Sequence, residues 1–302
     1  MFTGCGTALV TPFSKSLSLD EEGMRRLVRR QIDAGIDFLV PCGTTGENPT
    51  LTRDEARRVV AITVEEARGK TPVLAGAGGY NTSEVMELAA EFKAIGADGI
   101  LSVSPYYNKP SQEGLFQHYQ AIAEAVDLPI ILYNVPGRTG SNIEPSTVKR
   151  LSEIRNIVGI KEASGNISQM AALLASVPDP FIVLSGDDAI TLPLMALGGR
   201  GLISVASNEI PAQMTKIVQT ALKGDFAMAR EIHRQYFPLM EANFVESNPI
   251  PVKAAMGMMG LLEPVFRLPL VPPKAESLLK IRKALEVTGL LQQGVHQVYA
   301  AR

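Results

Sequence analysis

The residue in this sequence best placed to do chemistry is Lys161, in the stretch Ile157-Val158-Gly159-Ile160-Lys161-Glu162-Ala163-Ser164. Apolar and small residues run straight into the lysine, the pattern of a strand buried on both faces. Lysine is rarely buried without a partner or a task. Desolvation disfavours an ammonium, and an amine that has lost its proton near neutrality is a nucleophile. Two readings follow. Either a neighbouring carboxylate, Glu162 or Asp187, holds the lysine in a structural ion pair, or the amine attacks a ketone to form an imine. A protonated imine is an electron sink that eases loss of an α-proton.

Imine chemistry needs company: a group to shuttle protons, a hydroxyl relay to orient it, and a cation or amide nest for a substrate carboxylate. Tyr133 ends an apolar run and suits the shuttle. Thr44 and Thr45, in Cys42-Gly43-Thr44-Thr45-Gly46-Glu47, suit the relay. Arg138, in Tyr133-Asn134-Val135-Pro136-Gly137-Arg138-Thr139-Gly140, offers a planar fork for a carboxylate. Each has a plainer reading. A strand-end tyrosine is often a core ring, and Gly43-Thr44-Thr45-Gly46 suits a tight turn whose hydroxyls cap a helix. Asp187-Asp188 fits Mg²⁺ ligation or, more commonly, a helix cap. His118, His233 and His296 are the only histidines, and none ends an apolar run. Serine–histidine and histidine–zinc chemistry therefore lose ground.

These residues need elements to bring them together. Short apolar runs alternate with amphipathic stretches, one pair per roughly 25–35 residues, as in βα units. The strands expected are Thr7–Val10, Phe38–Pro41, Val73–Ala75, Gly99–Val103, Ile130–Tyr133, Val158–Lys161, Ile182–Leu184 and Gly201–Val205. Eight is the number that closes a parallel (β/α)8 TIM barrel, whose active site lies at the C-terminal ends of the strands. Those ends are the polar, glycine-rich segments here, including Ser104-Pro105-Tyr106-Tyr107-Asn108 and Gly186-Asp187-Asp188. An open doubly wound sheet would want a glycine fingerprint after its first strand. Val10-Thr11-Pro12-Phe13 stands there instead.

Ser18-Leu19-Asp20-Glu21 and Thr52-Arg53-Asp54-Glu55 fit the capping box, and Gly35, Gly96 and Gly198 mark helix ends. After the eighth strand only helical patterns remain: Phe226–Ala242, Pro251–Gly260 and Lys274–Thr288. We expect a barrel over residues 1–224 carrying the site and a helical extension over 225–302.

Composition sets the class. The 302 residues are 46% hydrophobic and 20% charged, with 29 basic against 31 acidic side chains and a net charge of −2. No basic stripe suggests nucleic acid or an anionic membrane as partner. Cys5 and Cys42 are the only cysteines and have no CxxC neighbour, which disfavours a disulfide scaffold and a cysteine zinc site. No basic n-region and apolar h-region precede the first strand, and no apolar run is long enough for a bilayer. A cytoplasmic enzyme is the expectation.

The quoted segments, with Gly159-Ile160-Lys161-Glu162-Ala163 and the Pro105-Tyr106-Tyr107-Asn108-Lys109-Pro110 loop, resemble the dihydrodipicolinate synthase family. The similarity runs from Met1-Phe2-Thr3-Gly4 to Pro249-Ile250-Pro251-Val252-Lys253, nearly the whole chain. The resemblance implies condensation of pyruvate with L-aspartate 4-semialdehyde, giving 4-hydroxy-tetrahydrodipicolinate at the head of the diaminopimelate branch of lysine biosynthesis. It implies an imine on Lys161, acid–base work by Tyr133 relayed through Thr44, and a Tyr107 reaching across a dimer interface. Thr45 would hold the pyruvate carboxylate and Arg138 the semialdehyde carboxylate, with Gly186 and Ile203 lining the lysine pocket. No cofactor or metal is implied, and the assembly implied is a tetramer of tight dimers.

One region departs from the pattern. Glu84 and Tyr106 match the family's site for inhibitory lysine. Pro49, Arg53, Ala56 and Tyr80 stand where lysine-sensitive members carry a small residue, two histidines and an asparagine. Weak or absent lysine feedback is expected. N-acetylneuraminate lyase and 2-keto-3-deoxy-acid aldolases share the lysine and tyrosine, but Arg138 favours the synthase. A non-catalytic oxo-acid-binding barrel would lack a catalytic group, and none is missing.

Overall fold

A computed structural model of the protein describes residues 1–291. Eight parallel strands are present: β1 Gly4–Ala8, β2 Phe38–Val40, β3 Leu74–Gly76, β4 Gly99–Val103, β5 Ile130–Asn134, β6 Ile157–Glu162, β7 Ile182–Ser185 and β8 Gly201–Ser204. They hydrogen-bond in the order β2-β1-β8-β7-β6-β5-β4-β3. A parallel bridge from Leu39 to Val73 joins the two ends and closes the (β/α)8 TIM barrel. The strands stay short because each spans only the barrel wall, with a helix returning the chain to the starting end.

Strand parity then decides which side chains face inward. Ile131 and Tyr133, Leu184, and Ile203 pack with Phe38, Val40 and Leu101 in the barrel interior. Residues of the other parity, such as Ile130, Leu132 and Ile160, join the layer between strands and helices. Gly159 is a glycine for a local reason. A Cβ there would stand 2.4 Å from the Ile182 carbonyl oxygen.

Most of the other strand ends fall one residue from the sequence expectation, and two boundaries differ for a local reason. The first strand begins at Gly4 rather than Thr7, because Gly4 to Thr7 pair with Gly201 to Ser204 before any β-branched run appears. At the first helix, Glu21–Asp33, the cap is Asp20, whose Oδ1 accepts from the Gly23 amide at 2.8 Å. Ser18 instead shares its hydroxyl with Ser14 and Ser16. At the second helix, Arg53–Ala67, the capping box forms as expected, with Thr52 and Glu55 exchanging both hydrogen bonds.

Beyond β8 the helices Pro211–Leu222, Phe226–Ala242, Ile250–Met258 and Ala275–Val287 follow. The last residues of the extension expected over 225–302, from 292 onward and including His296, lie outside the described residues. No helix among the described residues is long and apolar enough to cross a membrane.

Candidate active site

β5 and β6 set Tyr133 directly beside Lys161 in the parallel register, with Leu184 of β7 on the other flank. Both side chains have inward parity at the C-terminal end of the barrel. Lys161 is 6% exposed, and its Nζ lies 4.3 Å from the centroid of the Tyr133 ring. Neither carboxylate suspected of pairing with the amine does so. Glu162 turns outward, accepting from Asn134 Nδ2 at 2.9 Å and from the Ser164 amide at 2.6 Å. Asp187 accepts from the Ala189 amide at 2.9 Å. Among the described residues, Lys161 forms no salt bridge within 4.0 Å.

Gly186, just past β7, lies against the lysine stem. A Cβ there would come within 2.9 Å of Lys161 Cε and 2.6 Å of Ala163 Cβ. The absence of a side chain at Gly186 is what leaves room for the extended lysine.

The turn after β2 supplies the hydroxyls. Thr44–Gly46 is a short 3₁₀ turn, Thr45 is buried and Thr44 half-buried. The turn is held from below by Glu47, whose backbone lies in the left-handed region at φ 55°, a conformation that costs a non-glycine residue about 1–2 kcal/mol. Its carboxylate meets Lys253 Nζ at 2.5 Å, and both side chains are fully buried. Lys253 spends its remaining two protons on the carbonyls of Thr11 at 3.1 Å and Val265 at 2.6 Å. Burial pushes the Lys253 ammonium below its usual range, and Glu47 opposes that shift. Two lysines are thus buried in opposite ways. Lys253 is saturated with protein acceptors, and Lys161 is directed into a cavity.

That cavity, about 110 Å³, is lined by Thr44, Thr45, Tyr133, Arg138, Lys161, Gly186, Asp187, Phe244 and Asn248. A second space of about 220 Å³ shares Gly43, Thr44, Tyr133 and Arg138 with it and reaches Pro49 and Tyr106. Arg138 sits in the short helix Pro136–Thr139 and donates from Nη2 to the Asn248 carbonyl at 3.2 Å. Asn248 Nδ2 donates to Thr45 Oγ1 at 2.9 Å. Sequence reasoning missed Asn248, Phe244 and the Glu47–Lys253 pair as parts of this site. Lys253 carried a usable signal, a lone charge in the apolar run Ile250 to Met256.

The remaining expected residues fall in different places. Ile203 packs in the barrel interior and is not among the residues lining the cavity. Tyr107 is 90% exposed at φ 70° and lies outside the cavity of its own chain. Tyr80 meets Tyr106 edge-on at 5.2 Å, and Glu84 accepts from Asn81 Nδ2. Arg53 is held by Glu87 at 3.1 Å and Glu91 at 3.0 Å. Ala56 is buried and Pro49 exposed. Asp188 acts as a cap. Its carboxylate accepts from Ser204 Oγ and from the Val205 and Ala206 amides, and burial pushes it up. The Cys42 thiol, at the edge of the second space, is pushed up to about 12 by burial, which makes it a poor nucleophile. No group of three or more His, Cys, Asp and Glu side chains arranged for a metal occurs among the described residues.

A family model described as the dihydrodipicolinate synthetase family matches residues 1–288. The chain belongs to that family. A 4-hydroxy-tetrahydrodipicolinate synthase of Koribacter versatilis (strain Ellin345) is 55% identical over 290 residues, covering 96% of this chain and 97% of that protein. Among solved structures, the dihydrodipicolinate synthase of Aquifex aeolicus superposes with a TM-score of 0.94 at 45% identity, over 96% of this chain and 99% of that one. The chloride-inhibited dihydrodipicolinate synthase of Acinetobacter baumannii, solved in complex with pyruvate, superposes with a TM-score of 0.95 at 43% identity, over 96% and 100%. In this family member the barrel is the one the sequence led us to expect, and Lys161 and Tyr133 stand side by side on adjacent strands of it.

Proposed function

We propose that this enzyme condenses pyruvate with L-aspartate 4-semialdehyde through a Schiff base on Lys161, releasing 4-hydroxy-tetrahydrodipicolinate. The observation that carries the reading is Lys161 itself: a buried amine with no ion-pair partner among the described residues, beside Tyr133 and facing Thr44, Thr45 and Arg138. The Lys161 amine attacks the pyruvate ketone carbon and water leaves, forming the imine. Loss of a methyl proton gives the enamine, whose carbon attacks the aldehyde of the second substrate as its oxygen takes a proton. The amine of that substrate then attacks the imine carbon, closes the ring and expels Lys161. One water is released per turnover, and the lysine is regenerated.

Tyr133 is the group that moves these protons, and Thr44 is its relay. Thr45 holds the pyruvate carboxylate and Arg138 the carboxylate of the semialdehyde, with Gly186 leaving room for the lysine stem and Ile203 contributing only through the interior packing it shares with Tyr133. A copy of the chain completes the relay with its Tyr107, a role supported by the exposure of Tyr107 outside its own cavity. The active form is a homo-oligomer, a tetramer of tight dimers, working in the cytoplasm. Residues 1–224 form the unit that bears the chemistry, and the helical extension from 225 braces it. Lysine inhibits weakly or not at all. An assay coupled to reduction of the condensation product tests the reading. Turnover is expected with pyruvate and aspartate 4-semialdehyde. Turnover only in the cleavage of sialic or 2-keto-3-deoxy acids would replace this synthase, itself a lyase by class, with an N-acetylneuraminate lyase or a 2-keto-3-deoxy-acid aldolase.

A further inference from the structure

We propose that Asn248 is a positioning residue for the first substrate: its amide, donated to Thr45 Oγ1, turns the Thr45 hydroxyl hydrogen toward the substrate carboxylate. The proposal rests on the Schiff-base reading above. A threonine hydroxyl has one hydrogen and two lone pairs. Asn248 Nδ2 occupies a lone pair at 2.9 Å. Thr45 is 3% exposed, and among the described residues its hydroxyl makes a single hydrogen bond, the one it accepts from Asn248. The cavity that Thr45 lines together with Lys161 is the direction left to it. An oriented donor of this kind binds an anion without first giving up a protein or water partner.

Asn248 reaches the barrel from the segment between the helices Phe226–Ala242 and Ile250–Met258, and it is 6% exposed. It contributes two separable contacts. The side chain serves Thr45, and the backbone carbonyl accepts from Arg138 Nη2 at 3.2 Å. A side-chain substitution removes the first contact and keeps the second. The two substrates therefore respond differently to it, which a general loosening of the site would not produce.

The test is steady-state kinetics of the full-length enzyme, with borohydride trapping of pyruvate on Lys161 at graded pyruvate concentrations. Asn248→Ala should raise the KM for pyruvate about tenfold. The KM for the semialdehyde and kcat should each change by less than about threefold. Asn248→Asp should bind pyruvate more weakly still, because its carboxylate takes the Thr45 hydrogen and repels the substrate anion. In a Thr45→Val background Asn248→Ala should add less than about twofold, and in Thr45→Ser the full effect should return. Pyruvate binding by Asn248→Asp equal to wild type would show the hydrogen bond running the other way and overturn the proposal. An undiminished effect in Thr45→Val would also overturn it. Should Asn248→Ala fail to fold, the near-isosteric Asp variant and Asn248→Ser decide by the same trapping curves. A wild-type enzyme with no adduct on Lys161 would remove the Schiff-base reading and this proposal together, whereas a normal adduct with unchanged binding in the variants removes this proposal alone.

Discussion

Lys161 and Tyr133 occupy the same level of two adjacent parallel strands, with the lysine nitrogen 4.3 Å from the centroid of the tyrosine ring. Neither residue is held there by a loop. Hydrogen bonds between β5 and β6 fix the register, and inward parity on both strands sends the two side chains into one space. A site built on a barrel wall keeps its geometry when the loops above it change, so the chemistry depends most on what surrounds the lysine stem.

Gly186 is the first such surrounding. A methyl group there would press on Lys161 Cε at 2.9 Å and on Ala163 Cβ at 2.6 Å. Gly186→Ala should lower kcat about a hundredfold, the scale expected when a reacting group is displaced by about an ångström. Its thermal unfolding should stay within a few degrees of wild type. Wild-type kcat in this variant would show that the lysine has another route into the cavity.

The Glu47–Lys253 pair should act on stability first. Lys253→Met leaves the Glu47 carboxylate buried without its cation, which costs on the order of 3–5 kcal/mol. Glu47→Gln combined with Lys253→Met should recover most of that loss, because no lone charge remains. Denaturant unfolding of the single and double variants checks this. Additive losses in the double variant would contradict it.

How much of this was legible in the chain differs by region. The strands were, because parallel strands covered on both faces read as continuous apolar runs, and Gly99–Val103 was placed to the residue. Lys161, Tyr133, Thr44, Thr45, Arg138 and Gly186 could be brought together by counting strands, since each follows or ends one. Asn248, Phe244 and Lys253 could not. They come from the helical extension, and no periodicity fixes how such an extension docks on a barrel. Lys253 stands in an apolar run much as Lys161 does, and sequence alone does not reveal that three acceptors await it. Tyr107 is legible only as part of the family resemblance, because its own chain leaves it in solvent.

Tyr107 gives the assembly a functional test. If it serves a neighbouring copy, Lys161→Ala and Tyr107→Phe chains, each nearly inactive, should regain activity when mixed and allowed to exchange subunits. A mixed dimer holds one site with both groups intact. Activity that stays at the sum of the two separate variants after exchange would place Tyr107 outside the relay.

Feedback by lysine provides a separate check. The Arg53 guanidinium is already committed to Glu87 and Glu91, and Tyr80 lies edge-on against Tyr106. Initial rates at rising lysine should show little loss below millimolar concentration. Half-inhibition well below that would mean that Glu84 and Tyr106 bind lysine with a different set of partners.

The central claim is that the Lys161 amine forms the covalent bond to substrate. Borohydride reduction in the presence of pyruvate, followed by mass mapping of the peptides, tests it most directly. The account predicts a reduced pyruvyl adduct on Lys161 at one per chain, absent in Lys161→Ala. An adduct on another lysine, or none at all in a folded and active enzyme, would contradict it.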